Sequence, residues 1–274
     1  MLGLGLVGNL LAEGILQLNG LSLFALSDSV DMSATQRFWL RIGLIINHAT
    51  MFLCASLVFG WIYYKNRFYQ YMKTDTPVHI AEVALWSLVI LCSYPLVAYL
   101  TQLNMAIPLP SWASSGQDSA FALLGNVLRM ESLLELLVSL LLVGIMPALG
   151  EEFIFRGIVQ NKLISIISNP HLAILIASIL FGLTHMQLER LIPLSFLGML
   201  LGYAYHYSGS IIIPVILHFL NNGLQVVSIY SLDNFDPSII ENAPDLPMAT
   251  IGVSLILTVG LFLYTSQLEF NKEY

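Results

Sequence analysis

Six side chains in three motifs carry types and spacings that could do chemistry, in a chain that is 57% hydrophobic and 10% charged. Glu151, Glu152 and Arg156 lie in Gly-Glu-Glu-Phe-Ile-Phe-Arg-Gly, His185 closes Phe-Gly-Leu-Thr-His, and His218 and Asn222 lie in His-Phe-Leu-Asn-Asn. An ionisable residue in an apolar stretch is costly and needs a partner or a water-filled cavity, so each marks a candidate site. On a helix, residues four apart share a face while neighbours are rotated by about 100°. Glu152 can therefore face Arg156 as a neutralising pair, which turns Glu151 toward other helices as a candidate general base. His218 and Asn222 share a face and present an imidazole and an amide to one point, where two donors can hold a developing oxyanion.

Each motif has a plain structural interpretation as well. Glu-Glu-x-x-x-Arg can be a solvated helix end, and a single histidine in a span can tie helices together by a hydrogen bond. Taken together, polar groups on three neighbouring spans are hard to explain by packing, because each unsatisfied one costs several kcal/mol. His48, His79, His171 and His206 lie nearer span ends or lack a partner four residues on, and are expected to be interfacial or structural. Tyr203, Tyr205 and Tyr207 are expected to be bundle and interface aromatics, and Cys54 and Cys92 small buried packing residues.

The elements that must position these groups are membrane spans. Soluble domains carry about 25% charged residues, far more than here. Ten Lys+Arg against seventeen Asp+Glu leave no basic excess for phosphates, which excludes nucleic acid as a partner. A bilayer-crossing helix needs about 20 mostly apolar residues. Runs of that kind cover 38–64, 79–101, 132–150, 171–188, 191–207, 211–230 and 250–266, and 2–26 reads as an eighth, partly bundle-facing span through Asn9, Glu13, Gln17 and Asn19. The expected fold is all-α, a polytopic bundle of about eight transmembrane helices forming a single domain over 1–274. Between Ile107 and Arg129, a Pro/Ser/Gly-rich stretch leads into Phe121, Leu124, Val127 and Leu128 at helical spacing, expected to be a surface helix.

The three motifs, Glu151-Glu152-x-x-x-Arg156, Phe181-x-x-x-His185 and His218-x-x-x-Asn222, together resemble the CPBP family of type II CAAX-processing endopeptidases and bacteriocin-processing or self-immunity proteins, also called Abi. The resemblance spans a core over 132–230 and includes Gly198-x-x-x-Gly202-Tyr203 and Ser208-Gly209-Ser210. It implies an intramembrane endopeptidase acting on a peptide or protein substrate, possibly lipid-associated, in contact with membrane lipid. Glu151 would activate water with help from His185, His218 and Asn222 would stabilise the oxyanion, and Glu152 and Arg156 would support the site. No cofactor is expected. The alternative is a zinc enzyme with Glu151, His185 and His218 as ligands, although the usual His-Glu-x-x-His helix is absent. A non-catalytic scaffold or immunity protein is a further alternative, and transport lacks the inverted repeats it would need.

Short cytoplasmic loops are enriched in Lys and Arg. Eight alternating spans put Lys65, Arg67, Lys73, Lys162 and Lys272 on one side and Asp28, Asp31, Asp118, Asp233, Asp236, Glu241 and Asp245 on the other, with Arg37 and Arg41 as exceptions. Both termini are therefore expected to be cytoplasmic, and short loops without an endoplasmic-reticulum retention signal favour a bacterial plasma membrane. A cysteine replacing Gln70 should resist an impermeant thiol reagent applied from outside intact cells. Labelling there would overturn the orientation.

Overall fold

The computed structural model describes residues 2–22, 26, 32–109, 117–232, 235–236, 239 and 243–268. Asp28, Asp31, Asp233, Glu241 and Lys272, which entered the orientation above, lie outside the described residues, as does 110–116 of the connection preceding the expected surface helix. The fold is all-helical, with no strand among the described residues. The principal helices are α1 (Leu2–Leu18), α2 (Ala34–Tyr63), α3 (Ile80–Met105), α4 (Gln117–Leu128), α5 (Leu133–Ile167), α6 (Pro170–Thr184), α7 (Leu191–Ser208), α8 (Ile212–Tyr230) and α9 (Met248–Gln267). Helices α2, α3, α5, α8 and α9 are long and apolar enough to cross a membrane; α1 and α6 are shorter apolar helices. Each expected span thus contains one of these helices, and the chain is an integral membrane protein. Large apolar side chains such as Trp61 and Ile256 are exposed on these helices, as a lipid-facing surface requires.

Several boundaries differ from expectation: the first helix ends at Leu18 rather than 26, the one from Pro170 ends at Thr184 rather than 188, and the fourth span is longer. The fourth span continues past Gly150 to Ile167, because nothing breaks the helix before Ser168, which turns left-handed (φ 57°) ahead of Asn169-Pro170. Glu151 and Glu152 therefore do not sit at a solvated helix end. They are 7% and 0% exposed. The stretches Leu140–Ile145 and Phe153–Gln160 of α5 are π-helical, as is Ala49–Cys54 of α2. Such widened turns are rare and occur often at functional sites.

The chain divides into two compact units. The first comprises Met1–Lys65, Ser115–Ile154 and Phe219–Asn242. Its core gathers Leu16, Leu26, Met32, Leu40, Val127 and Leu142. Helix α1 packs on α2 where Gly8 and Gly43 carry no Cβ, and Asn47 Nδ2 donates to Asn9 Oδ1 at 2.6 Å, which accounts for one polar residue of the first span. The end of α4 is buried at Asn126, Val127 and Leu128, so this helix is not wholly superficial. Cys54 is exposed rather than buried.

Arg37 and Arg41, the exceptions to the charge pattern, belong to an internal network in this unit. Glu135 Oε1 accepts from Arg37 Nε and Arg41 Nη1, both at 3.0 Å, and Glu131 pairs with Arg37 Nη2 at 2.9 Å. Arg41 also donates to the Val127 carbonyl at 3.1 Å and the Arg129 carbonyl at 2.6 Å. Their charge is neutralised inside the protein, so they carry little weight in a rule based on loop charges.

The second unit comprises Asn66–Ser114, Phe155–His218 and Ala243–Tyr274. Its core is built from Trp86, Val89 and Ile90 of α3, Leu200, Leu201 and Ala204 of α7, and Ile213 and Leu217 of α8. In the connection before α3, Lys73 lies 5.0 Å from the Tyr205 ring centroid, and burial lowers its ammonium below the ordinary lysine value. Arg41→Leu should lower stability by about 3–5 kcal/mol in detergent unfolding, because Glu135 loses a buried partner. The double variant Arg41→Leu/Glu135→Leu should recover part of that loss, and a more severe double loss would contradict the network's role.

Candidate functional site

In the first unit, Glu151 is presented by α5 beside α2. Its Oε1 lies 3.9 Å from His48 Nε2, and His48 stacks on Phe52 with ring centroids 4.6 Å apart. Gly150 makes this approach possible, since a Cβ there would come 2.7 Å from Phe52 Cβ. The second carboxylate oxygen, Oε2, is buried and accepts no hydrogen bond from the described residues. A carboxylate so placed keeps an oxygen available to accept a proton. His48 was expected to be interfacial or structural; the structure places it next to the candidate base. The sequence signal was weak, because its partner lies on another helix.

Asn222 is anchored in the same unit. A helical N–H bonds to the carbonyl four residues back, but Pro147 has no N–H to give Val143. Asn222 Nδ2 donates to the Val143 carbonyl at 2.8 Å, and its Oδ1 accepts from Asn221 Nδ2 at 2.9 Å. These bonds fix the amide plane and use one of its two N–H bonds, leaving the other as a donor.

In the second unit, Arg156, Gln160 and Asn161 climb α5 and bond to α7. Arg156 Nη2 donates to Gly198 O at 2.8 Å, Gln160 Nε2 to Gly202 O at 3.0 Å, and Asn161 Nδ2 to the Tyr205 hydroxyl at 2.9 Å. The glycines are required by this seat. A Cβ on Gly202 would lie 2.9 Å from both Gln160 Oε1 and Ile174 Cγ2, and one on Gly198 would lie 3.1 Å from Phe181 Cδ1. The Gly198-x-x-x-Gly202 motif therefore has a packing explanation.

Phe181 organises the groups around it. The Arg156 guanidinium lies 4.8 Å from its ring centroid, and the rings of His185 and His218 meet it edge-on at 4.9 and 6.0 Å. His185 caps α6 rather than lying within it, with Nδ1 3.0 Å from the Phe181 carbonyl. A carbonyl only accepts, so Nδ1 carries a proton, and in the neutral form of the ring Nε2 is the nitrogen with the lone pair. Sequence reasoning named His185, His218 and Arg156 but gave no role to Phe181 or Gln160.

Glu151, Glu152 and Asn222 belong to the first unit, and Arg156, His185 and His218 to the second. Within neither unit, among the described residues, do three His, Cys, Asp or Glu side chains form a set able to hold a metal. The lone pair on His185 Nε2 is nonetheless suited to a metal, because an Nδ1–H held by a carbonyl is the usual outer bond of a ligating histidine.

Residues 133–224 match the family described as Rce1-like, Type II CAAX prenyl endopeptidase Rce1-like. The membrane-embedded CAAX protease MroQ of Staphylococcus aureus (strain USA300) is 30% identical over 91 residues, 31% of this chain and 36% of that protein. The chain thus spans about a third of the length of the curated relative it matches. No solved structure matches. The matched segment contains all six candidate residues.

The Val143 anchor has a direct test. Asn222→Ala should cost about 1–3 kcal/mol by leaving the Val143 carbonyl short of a donor. Adding Pro147→Ala, which restores an N–H four residues after Val143, should recover that stability. Failure to recover it would contradict the anchor.

Proposed function

We propose that the chain is an intramembrane endopeptidase of the CAAX-protease type, hydrolysing a peptide bond in a peptide or protein substrate, lipid-associated or not, with water activated by Glu151. The observation that carries this proposal is the family match over 133–224, which contains a buried carboxylate whose Oε2 accepts no hydrogen bond from the described residues. Amide hydrolysis at neutral pH needs a base for water, donors for the oxyanion and a proton for the leaving amine. Glu151 takes the proton from water and later returns it to the amine. His185 accepts a hydrogen bond from the water through Nε2, the nitrogen left unprotonated by its bond to Phe181 O. His218 and the second N–H of Asn222 donate to the oxyanion. Glu152 and Arg156 hold the helix and its charge balance, with Arg156 seated on Gly198 O. We place the chain in a bacterial plasma membrane with both termini cytoplasmic.

The second hypothesis is a zinc-dependent form of the same enzyme, favoured by the tautomer of His185. Zinc would draw ligands from Glu151, His185 and His218 and would lower the pKa of a bound water. A non-catalytic scaffold would gain support only if Glu151 proved dispensable.

Purified protein in liposomes, offered farnesylated and unmodified C-terminal peptides, tests these assignments. Glu151→Gln should lower turnover by about 10²–10⁴-fold with normal thermal stability. Glu152→Gln should lower both activity and stability, because a fully buried carboxylate is lost. Equal activity loss with normal stability in both variants would refute this division of roles. Active protein should retain activity after dialysis against a strong chelator; loss on chelation with recovery on adding zinc would replace the mechanism with the metal-dependent one.

A further inference from the structure

In the first unit the polar neighbour of the Glu151 carboxylate is His48 of α2, a residue outside all three sequence motifs. Its Nε2 lies 3.9 Å from Glu151 Oε1, and within this unit no other hydrogen bond or ion pair from a described residue reaches that carboxylate. Nε2 is closed off from solvent, so the two groups face each other directly rather than through water.

The surrounding chain is shaped to bring them together. The π-helical turn Ala49–Cys54 begins immediately after His48, and α5 meets it at Gly150. A Cβ on Gly150 would lie 2.7 Å from Phe52 Cβ and 3.4 Å from both His48 Nε2 and Leu53 N, so only glycine lets the imidazole come this near the neighbouring glutamate. Phe52 stacks on His48 with ring planes 20° apart, which sets the plane in which Nε2 points.

A general base has a requirement that this arrangement meets. The last torsion of a glutamate side chain is broad and roughly two-fold, so an unrestrained carboxylate turns easily. Catalytic groups must be held within about 0.5 Å of their productive geometry by neighbours that are themselves fixed. In the first unit the group placed to hold Glu151 is His48 Nε2.

We propose that His48 is a positioning residue for the hydrolysis, donating its Nε2–H to Glu151 Oε1 and holding the carboxylate in one rotation. The proposal rests on the reading of Glu151 as the base. An ionised carboxylate has about four lone-pair sites, so accepting one N–H leaves others for the proton of water. The separation is about 1 Å longer than a charge-assisted N–H···O bond, and catalytic hydrogen bonds are often long before substrate binds and tighten in the complex.

The test uses the full chain in liposomes with fluorogenic farnesylated and unmodified C-terminal peptides, alongside Glu151→Gln. His48→Phe keeps a ring to stack on Phe52 but has no N–H. It should lower kcat by about 10–100-fold, the effect of one hydrogen bond to a charged group, with KM within about twofold and thermal stability unchanged. His48→Gln, whose amide nitrogen reaches the place of Nε2, should recover kcat to within about threefold of wild type. His48→Asn, whose shorter amide reaches only the place of Nδ1, should remain as slow as His48→Phe. A histidine that merely tied two helices together would give no such order. Infrared difference spectra against the matching Glu151→Gln proteins isolate the Glu151 carboxylate band and need no substrate. That band should shift in His48→Phe and His48→Asn and return in His48→Gln. Wild-type kcat in folded His48→Phe, equal loss in His48→Gln and His48→Asn, or a Glu151 band indifferent to residue 48 would overturn the proposal. Full activity in Glu151→Gln would instead overturn the assignment of the base on which it rests.

Discussion

The bond from Arg156 to the backbone carbonyl of Gly198 organises the second unit's share of the candidate site. A guanidinium is an expensive group to bury, and here its cost is offset by a carbonyl on one side and the Phe181 ring on another. The same ring meets His185 and His218 edge-on, so the arrangement that holds the arginine also orients both imidazoles. Gly198 lets α7 approach α6 at Phe181, Gly202 lets it approach Gln160 of α5 and Ile174 of α6, and the π-helical stretch Phe153–Gln160 carries Arg156 and Gln160. Removing any one of these features would leave polar groups buried without partners.

The constraint behind this arrangement recurs elsewhere. Hydrocarbon offers no water to a stray backbone group, so each irregularity in a helix needs a side chain to complete it. Pro147 withholds an N–H from Val143, and Asn222 supplies one. Beside Pro95, Ser254 bridges Leu96 N and Cys92 O. Arg37 and Arg41 share Glu135 and draw further support from the carbonyls of Met32, Val127 and Arg129. In the first case the residue doing the repair is also a candidate catalytic group, so stability and activity at Asn222 are physically linked.

Much of the fold was legible in the sequence because apolar runs of bilayer length have few interpretations. Each of the eight expected spans contains a helix, though the first and fifth are shorter than expected. The candidate motifs were legible for the same reason, since Glu151, His185 and His218 stand out against apolar neighbours. What escaped was whatever depends on contact between helices. His48 lies on α2, far in sequence from Glu151, and no spacing links them. The persistence of α5 through Gly157 to Ile167 and its π-helical turns also left no clear periodic signal. Arg37 and Arg41 looked like loop charges because their partner, Glu135, follows nearly a hundred residues later.

The account turns on Glu151 acting as the base of a peptidase. The most direct measurement is comparative peptidomics of membranes containing either the wild-type chain or Glu151→Gln, expressed to equal levels. Peptide termini that appear only with the wild-type chain, together with accumulation of their uncleaved precursors in the Glu151→Gln membranes, are the predicted result. Identical sets of termini, with both proteins folded and abundant, would contradict it and leave the chain a scaffold.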